Sequence, residues 1–307
     1  MAKIESLTFK QLRVLGAIAE CGSLSGAAQS LGLTAPAVHA QLTQIETNLG
    51  VRLVDRGGGA PARLTKAGAV VLRAQRTIDA VLGQAIERID ALAKGHEGVV
   101  TLGVVSTGKY FAPQLVARLK EAMPGIAVML KVGNRGEIIS MMQQGLIDLA
   151  IMGRPPREPK VVAERIGAHP HVLIAPPGHP LVGRGNIDPD EILAETFLAR
   201  EPGSGTRILM MRYLDRIGGG MPYEVVEIGS NETIKQAVMA GLGIALISLH
   251  TVTEELKAGR LATITADGLP IIRQWYLLQR AHEPLSPAAQ RVHDFIADER
   301  GRFLPHA

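Results

Sequence analysis

Residues 21–45 read CGSLSGAAQSLGLTAPAVHAQLTQI, with no Lys, Arg, Asp or Glu, in a chain that is 20% charged overall. Such a gap suits a membrane span, a core segment, or a surface that reads a partner without using charge. Ser, Gln and Thr interrupt the run, and no stretch of about 18 consecutive apolar residues exists, so a spanning helix is not expected. Leu24, Ala27, Ala28 and Leu31 recur at i, i+3, i+4 and i+7, the stripe of a short amphipathic helix. Ser23 suits its N-cap and Gly32 its left-handed stop. Thr34 caps the next helix, Pro36 fits a first turn that needs no backbone donor, and Val38, Leu42, Ile45 and Leu49 form a buried stripe. Upstream, Leu12, Leu15, Ile18 and Ala19 mark a helix from Phe9 to about Cys21-Gly22, with Cys21 expected to be small and half-buried. Two short helices joined by a tight glycine turn make a helix-turn-helix.

The second helix of that pair turns Ala35, His39, Ala40, Thr43 and Gln44 away from its apolar stripe. Small and amide-bearing side chains approach base edges closely: Gln pairs with adenine, while Ala and Thr methyls meet thymine methyls. Ser23, Thr34, Pro36 and Gln41 complete the candidate DNA-binding set on these helices. Phosphate attraction must come from the flank, where Arg52, Arg56, Arg63 and Lys66 surround DRGGGAPARLTKAG (55–68), which reads as a hairpin wing. The uncharged gap is therefore half core and half reading surface. The bland alternative is a three-helix bundle whose polar face meets water. Charge favours the DNA reading, since residues 1–95 hold 11 Lys+Arg against 7 Asp+Glu and the remainder 22 of each.

From Lys66 to Leu92 there is no Pro, and Val71, Ala74, Ile78, Leu82, Ala85, Ile89 and Leu92 step by three and four. That period suits a long helix pairing with a second copy, or packing on the chain's own domains. Gly95 and Gly98 bracket an expected hinge. Beyond it, short β-rich runs (VVTLGVV, IAVMLKV, LIDLAIM, HVLIAP, TFLAR, YEVVEIG, IALIS) alternate with helical patterns, the signature of an α/β fold with mainly parallel strands. An offset of 96 matches Gly133 with Gly229, Ile138 with Ile234, Gly145-Leu146 with Gly241-Leu242 and Ile151 with Ile247, which implies two like-built lobes. Ligands of such folds bind beyond the carboxyl ends of the strands. Those ends supply Ser106, Thr107, Lys109, Asn134, Arg135 and Arg154 in the first lobe. In the second they supply Arg200, Gly203, Ser204, Gly205, Thr206, Arg207, Ser230 and Asn231. Five basic residues beside helix N-termini point to a polyvalent anion such as a phosphorylated metabolite. The alternative is that these arginines pair with Glu137, Glu201 or Glu232 on the rim.

The segment FKQLRVLGAIAECGSLSGAAQSLGLTAPAVHAQLTQIETNLGVRLVDR (9–56) resembles the N-terminal domain of LysR-type transcriptional regulators. Further on, VVSTGKYFAP, GNRGEII, DLAIMGRPP, REPGSGTR, GSNETIKQAVMAGLGIALISLHT and LPIIRQWYLL are similar to effector domains of the LysR-type regulators of carbon-fixation operons. The resemblance implies an α+β multidomain chain: a winged helix-turn-helix over 1–65, a dimerising linker helix and hinge over 66–96, and a two-lobed α/β, periplasmic-binding-protein-like effector domain over 97–307. Lobe I would take 97–168 plus 269–307, and lobe II 169–268. It also implies double-stranded promoter DNA as a partner, a homodimer through the linker helix, a homotetramer, contact with RNA polymerase, and activation of RuBisCO-pathway genes by a metabolite. Ala35 and His39 depart from the family pattern on the DNA face, so base preference does not carry over.

Two other functional classes compete with this reading. HPHVLIAPPGHP clusters His169, His171 and His179, yet Pro follows two of them and no carboxylate or Cys lies nearby, so no metal is expected. No G-x-S-x-G elbow places a nucleophile, and no catalytic residue or cofactor is expected. A free-standing solute-binding protein would explain the lobes but not the basic helix-turn-helix. MAKIESLTFKQ carries no apolar run, so no export signal is expected, and the lone Cys21 fits a reducing cytoplasm.

Overall fold

The computed structural model describes residues 4–55 and 62–305, apart from the side chain of Gln84. Arg56 and the middle of the expected wing lie outside the described residues. The chain divides into two compact units, Met1–Glu87 and Arg88–Ala307.

In the first unit, Thr8 opens α1 (Phe9–Cys21) with a capping box shared with Gln11. Ser23 Oγ accepts from Gly26 N at 3.0 Å and starts α2 (Leu24–Leu31). Thr34 Oγ1 accepts from Ala37 N at 3.4 Å and starts α3 (Ala35–Leu49). Each cap satisfies a backbone donor that the helix itself cannot. Leu15, Ile18, Ala27, Val38, Leu42 and Ile45 are fully buried between the three helices. Burial of each large apolar side chain contributes about 1.5–3 kcal/mol, so the stripe read from the sequence stabilises the helix-turn-helix. Cys21 is exposed rather than half-buried, because the chain leaves α1 there with its side chain on the outer surface.

A short hairpin follows, β1 (Val54–Asp55) pairing antiparallel with β2 (Arg63–Leu64). Glu46 anchors it by accepting from Leu53 N at 2.8 Å and Val54 N at 3.2 Å. The next helix, α4 (Lys66–Ala93), passes so near this hairpin that a Cβ on Gly68 would stand 2.0 Å from the Leu53 carbonyl oxygen. No side chain fits there. At 28 residues α4 is about 42 Å long. Val71 packs on the helix-turn-helix core, whereas Ile78, Leu82, Ile89 and Leu92 are 37%, 45%, 63% and 54% exposed.

The second unit begins with β3 (Gly98–Val105), a 3-10 turn (Ser106–Tyr110), α5 (Ala112–Ala122), β4 (Ile126–Gly133), α6 (Arg135–Gln143) and β5 (Leu149–Met152). The chain then crosses on β6 (Val161–Ala175) and builds α7 (Pro189–Leu193), β7 (Thr196–Ala199), α8 (Gly205–Gly218), β8 (Glu224–Glu227), α9 (Asn231–Met239), β9 (Ala245–Ser248), α10 (Thr253–Lys257) and β10 (Ala262–Ile264). It returns on β11 (Ile271–Arg280) and closes with α11 (Pro287–Asp298). One seven-stranded sheet runs in the order β10-β6-β11-β5-β3-β4 with β9 also paired to β6, and β7 and β8 form a separate two-stranded sheet. Ile166 of β6 and Trp275 of β11 belong to one core, while Leu173 of β6 belongs to another with Phe197 and Leu246.

The sheet is mixed rather than mainly parallel. The β3-β4, β3-β5 and β7-β8 ladders are parallel, but β6 pairs antiparallel with β11, β9 and β10, and β11 with β5. The chain crosses outward on β6 and homeward on β11, so these two long strands run in opposite directions and pair that way. Gly98 marks the far end of the segment between α4 and the sheet. It starts β3 where a Cβ would lie 2.6 Å from that of Ala288, so α11 packs directly on the strand.

The repeat at an offset of 96 is a structural one. Gly145 and Gly241 end α6 and α9 with φ of 71° and 79°, a backbone region that side chains disfavour. Leu146 N donates to Met141 O at 2.9 Å, and Leu242 N to Ala237 O at 3.0 Å, the same bond in each copy.

Candidate functional site

A cavity of about 410 Å³ opens in the second unit where β3 and β5 end, facing the start of α8. Ser106, Thr107, Arg135, Arg154, Ser204, Gly205 and Thr206 all line it, so the structure brings together half of the strand-end set named from the sequence. The rest of the wall was not foreseen. Ile208, Leu209 and Arg212 continue from Gly205 along one face of α8, at the i, i+3, i+4, i+7 spacing of a helix. His169, His171 and Arg273 come from the paired crossing strands, where Arg273 stands opposite His169. Gly153, Pro155 and Arg157 continue from Arg154.

The electrostatics of this wall are one-sided. Among the described residues, no carboxylate lies within ion-pair distance of Arg135, Arg154, Arg157, Arg212 or Arg273. Arg135 donates to the Arg154 and Pro155 carbonyl oxygens, which orients it without neutralising it. Burial, then the neighbouring Arg154 and Arg273, push the Arg135 guanidinium below its ordinary pKa. Burial, then Arg154 and Arg212, do the same to Arg273. The start of α8 adds to this field. Ser204 makes no side-chain capping bond, and the first amide engaged in the helix is Ile208 N with Ser204 O at 3.3 Å. An uncapped helix start carries free N–H groups and a partial positive charge, which is an anion site.

The floor is neutral and aromatic. The His169 ring stacks on Trp275 with centroids 3.8 Å apart, and lies 4.2 Å from the His171 ring. His169 Nε2 meets Ser248 Oγ at 3.0 Å, His171 Nδ1 meets the His169 carbonyl at 3.1 Å, and Trp275 Nε1 donates to His250 Nδ1 at 3.1 Å. Burial, chiefly, holds both cavity histidines in the neutral form, with His171 lowered to about 3 and His169 well below its ordinary value. His179 stands apart and faces Glu195 at 3.4 Å. No cluster of metal-ligating side chains occurs among the described residues.

The other residues named from strand ends have different employment. Lys109 and the Tyr110 hydroxyl both engage Glu232. Arg207 donates to the Arg200 carbonyl at 2.7 Å and pairs with Glu227 at 3.1 Å. Arg200 is 4% exposed, held by Glu201 at 2.7 Å and by Asn231 Oδ1 at 2.6 Å. Asn134 caps α6 in a capping box with Glu137, and Ser230 caps α9 through Thr233 N at 3.1 Å. Those two helix starts are therefore already satisfied, unlike that of α8. Gly203, with φ of 91°, packs beside Asn134, and its carbonyl accepts from Gly136 N at 3.3 Å. The acid partners of Lys109 and Arg207 are distant in sequence, which is why the rim alternative could not be settled there.

In the first unit, α3 leaves Thr34, Ala35, Pro36, His39, Ala40, Thr43 and Gln44 exposed along one face, with Gln41 half-buried at its edge. Ser23, Arg52, Arg63 and Lys66 are exposed as well. Thr43 Oγ1 lies 3.4 Å from His39 Nδ1, and Gln44 Nε2 donates to Asn48 Oδ1 at 2.9 Å. The face is uncharged at its centre and basic at its flank.

Residues 9–69 match the family model of the bacterial regulatory helix-turn-helix protein, lysR family, and residues 93–301 match that of the LysR substrate binding domain. The chain is 48% identical to the HTH-type transcriptional regulator CbbR of Cereibacter sphaeroides, over all of this chain and 99% of that one. It is 39% identical to the RuBisCO operon transcriptional regulator of Allochromatium vinosum, over 97% of this chain and 98% of that one. Among solved structures, the regulatory domain of Synechocystis PCC6803 CcmR in complex with 2-PG is 37% identical with a TM-score of 0.63, covering 66% of this chain and 97% of that one.

Proposed function

The chain belongs to the LysR family of bacterial DNA-binding transcription regulators, and from that premise we propose that it switches carbon-fixation genes on in response to a phosphorylated anion. The relative named for the RuBisCO operon supports the target class, at 39% identity. One observation carries the ligand reading: five arginines with no carboxylate partner among the described residues surround the uncapped start of α8. A charge-assisted fork to phosphate or carboxylate oxygens relieves their mutual repulsion and fills the free amides, which no neutral ligand does. The CcmR domain in complex with 2-PG supports a small phosphorylated carboxylate. Isothermal titration with 2-phosphoglycolate and with glycolate tests this: the phosphorylated compound binds and glycolate does not. Equal affinities, or no binding of either, would overturn the ligand class.

The remaining parts follow from this reading. Exposed α3 side chains read the major groove, with Arg52, Arg56, Arg63 and Lys66 on the phosphates. Two copies pair through the apolar stripe of α4, so that two reading helices span a dyad site, and dimers associate into a tetramer in the cytoplasm that contacts RNA polymerase. The ligand closes the two lobes, changes how dimers pack, and alters the bend of promoter DNA. It can do so only through unequal affinity for the two arrangements.

A further inference from the structure

Arg200 was expected to hold the ligand, yet its guanidinium is sealed away from the cavity it adjoins. Nε and Nη2 bind the two carboxylate oxygens of Glu201 at 2.7 and 2.9 Å, and Nη1 binds Asn231 Oδ1 at 2.6 Å. The fourth contact is the informative one. Nη2 also donates to Ser106 Oγ at 3.2 Å, and Ser106 is a cavity residue while Arg200 is not.

A serine hydroxyl has one proton and two lone pairs, and its rotor turns to suit its partners. With Arg200 donating to the oxygen, the serine proton is directed elsewhere, and the adjacent cation strengthens the O–H as a donor. We infer that Arg200 is a positioning residue that fixes Ser106 as a hydrogen-bond donor to an acidic oxygen of the ligand. This inference rests on the cavity being the anion site. It makes Ser106 selective for a phosphate or carboxylate oxygen over a ligand hydroxyl or amine of the same shape.

The arrangement also places the selection between the lobes. Ser106 follows β3, whose side chains belong to one core, and Arg200 follows β7, whose side chains belong to the others. The free amides of α8 start a few residues after Arg200, so a ligand oxygen held by Ser106 and the α8 start meets groups from both sides. Asn231 extends the chain to the first turn of α9; its Oδ1 accepts from Arg200 while its buried Nδ2 has no hydrogen-bond partner among the described residues, so Arg200 orients its side chain.

A double-mutant cycle in the full chain separates this role from direct binding and from a purely structural one. Affinity for 2-phosphoglycolate and for inorganic phosphate is measured by isothermal titration for wild type, Ser106→Ala, Arg200→Lys and the double variant. Ser106→Ala should lose about tenfold, the value of one charge-assisted hydrogen bond, and Ser106→Thr should recover most of it. Arg200→Lys should lose several-fold alone but less than about twofold when Ser106 is already Ala, because its effect runs through that hydroxyl. Equal losses in both backgrounds would overturn the inference while leaving the cavity reading intact. Should Arg200→Lys fail to fold, the serine pair still decides, since unchanged affinity in Ser106→Ala overturns it. If wild type binds neither anion, the cavity reading falls, and this inference with it.

Discussion

Replacing Arg273 with Met should act in opposite directions on stability and on ligand binding. Arg273 stands in the cavity wall, where burial, Arg154 and Arg212 all disfavour its charge and no carboxylate among the described residues compensates. Met keeps most of the stem and removes the charge. In the ligand-free chain the change therefore relieves repulsion. The residue is only half-buried, so water screens the gain to on the order of 1 kcal/mol. For a domain of this size that raises Tm by about 3 °C. With the anion present the same change removes one charge-assisted contact, about 1.5–3 kcal/mol, or roughly 10- to 150-fold in Kd. Thermal melts without ligand and titrations with 2-phosphoglycolate give the two numbers. A variant that melts several degrees lower and binds 2-phosphoglycolate as tightly as wild type would refute the account of the cavity as an unsatisfied anion site.

Both cavity histidines have folded pKa values below the ordinary 6.5, that of His171 at about 3, so the unfolded chain takes up more protons as pH falls. Stability should be full above about pH 6.5 and decline toward pH 3, by up to about 1.4 kcal/mol per histidine per pH unit; a Tm that stays flat from pH 7.5 to 5 would contradict this. Arg52→Ala and Arg63→Ala should each weaken binding to all DNA sequences alike and lower the slope of log K against log salt by about one, as read from anisotropy titrations. His39→Ala should instead change site preference, and an unchanged selection from randomised duplexes would remove it from the reading face. Leu82→Asp, on the exposed stripe of α4, should shift the sedimentation profile from dimer or tetramer toward monomer without lowering the melting temperature of the effector domain.

What the sequence disclosed follows from how local each determinant is. Ser23, Thr34, Gly22 and Gly32 act on backbone groups within a few residues of themselves, so their roles in the helix-turn-helix could be read directly. The two lobes were legible because their repeat preserves a cap, a glycine stop and an apolar helix face. The cavity floor was not. It depends on β6 and β11 pairing across about a hundred residues of chain, and on the register that sets Arg273 opposite His169. Pro170 in β6, and the polar residues of VVAERIGA before it, hide that strand from a hydrophobic-pattern reading. His169 and His171 drew notice only as possible metal ligands, although their burial against Trp275 makes them part of a packed wall. Arg212 left a usable signal, since extending the α8 face from Gly205 by two turns reaches it. For Arg200 the residue was found but its enclosure was not: Glu201 follows it directly in the chain, and Asn231 completes its enclosure.

The central claim is that an anion in the cavity changes what the N-terminal modules do on DNA. DNase I footprints on the dyad upstream of the regulated carbon-fixation operon, with and without 2-phosphoglycolate, test it most directly. The account predicts that ligand shortens or shifts the protected region and relaxes the DNA bend, and that Arg135→Ala with Arg212→Ala abolishes the change while retaining the ligand-free footprint. Identical footprints and bend angles at saturating 2-phosphoglycolate, in a protein shown by titration to bind it, would contradict the claim.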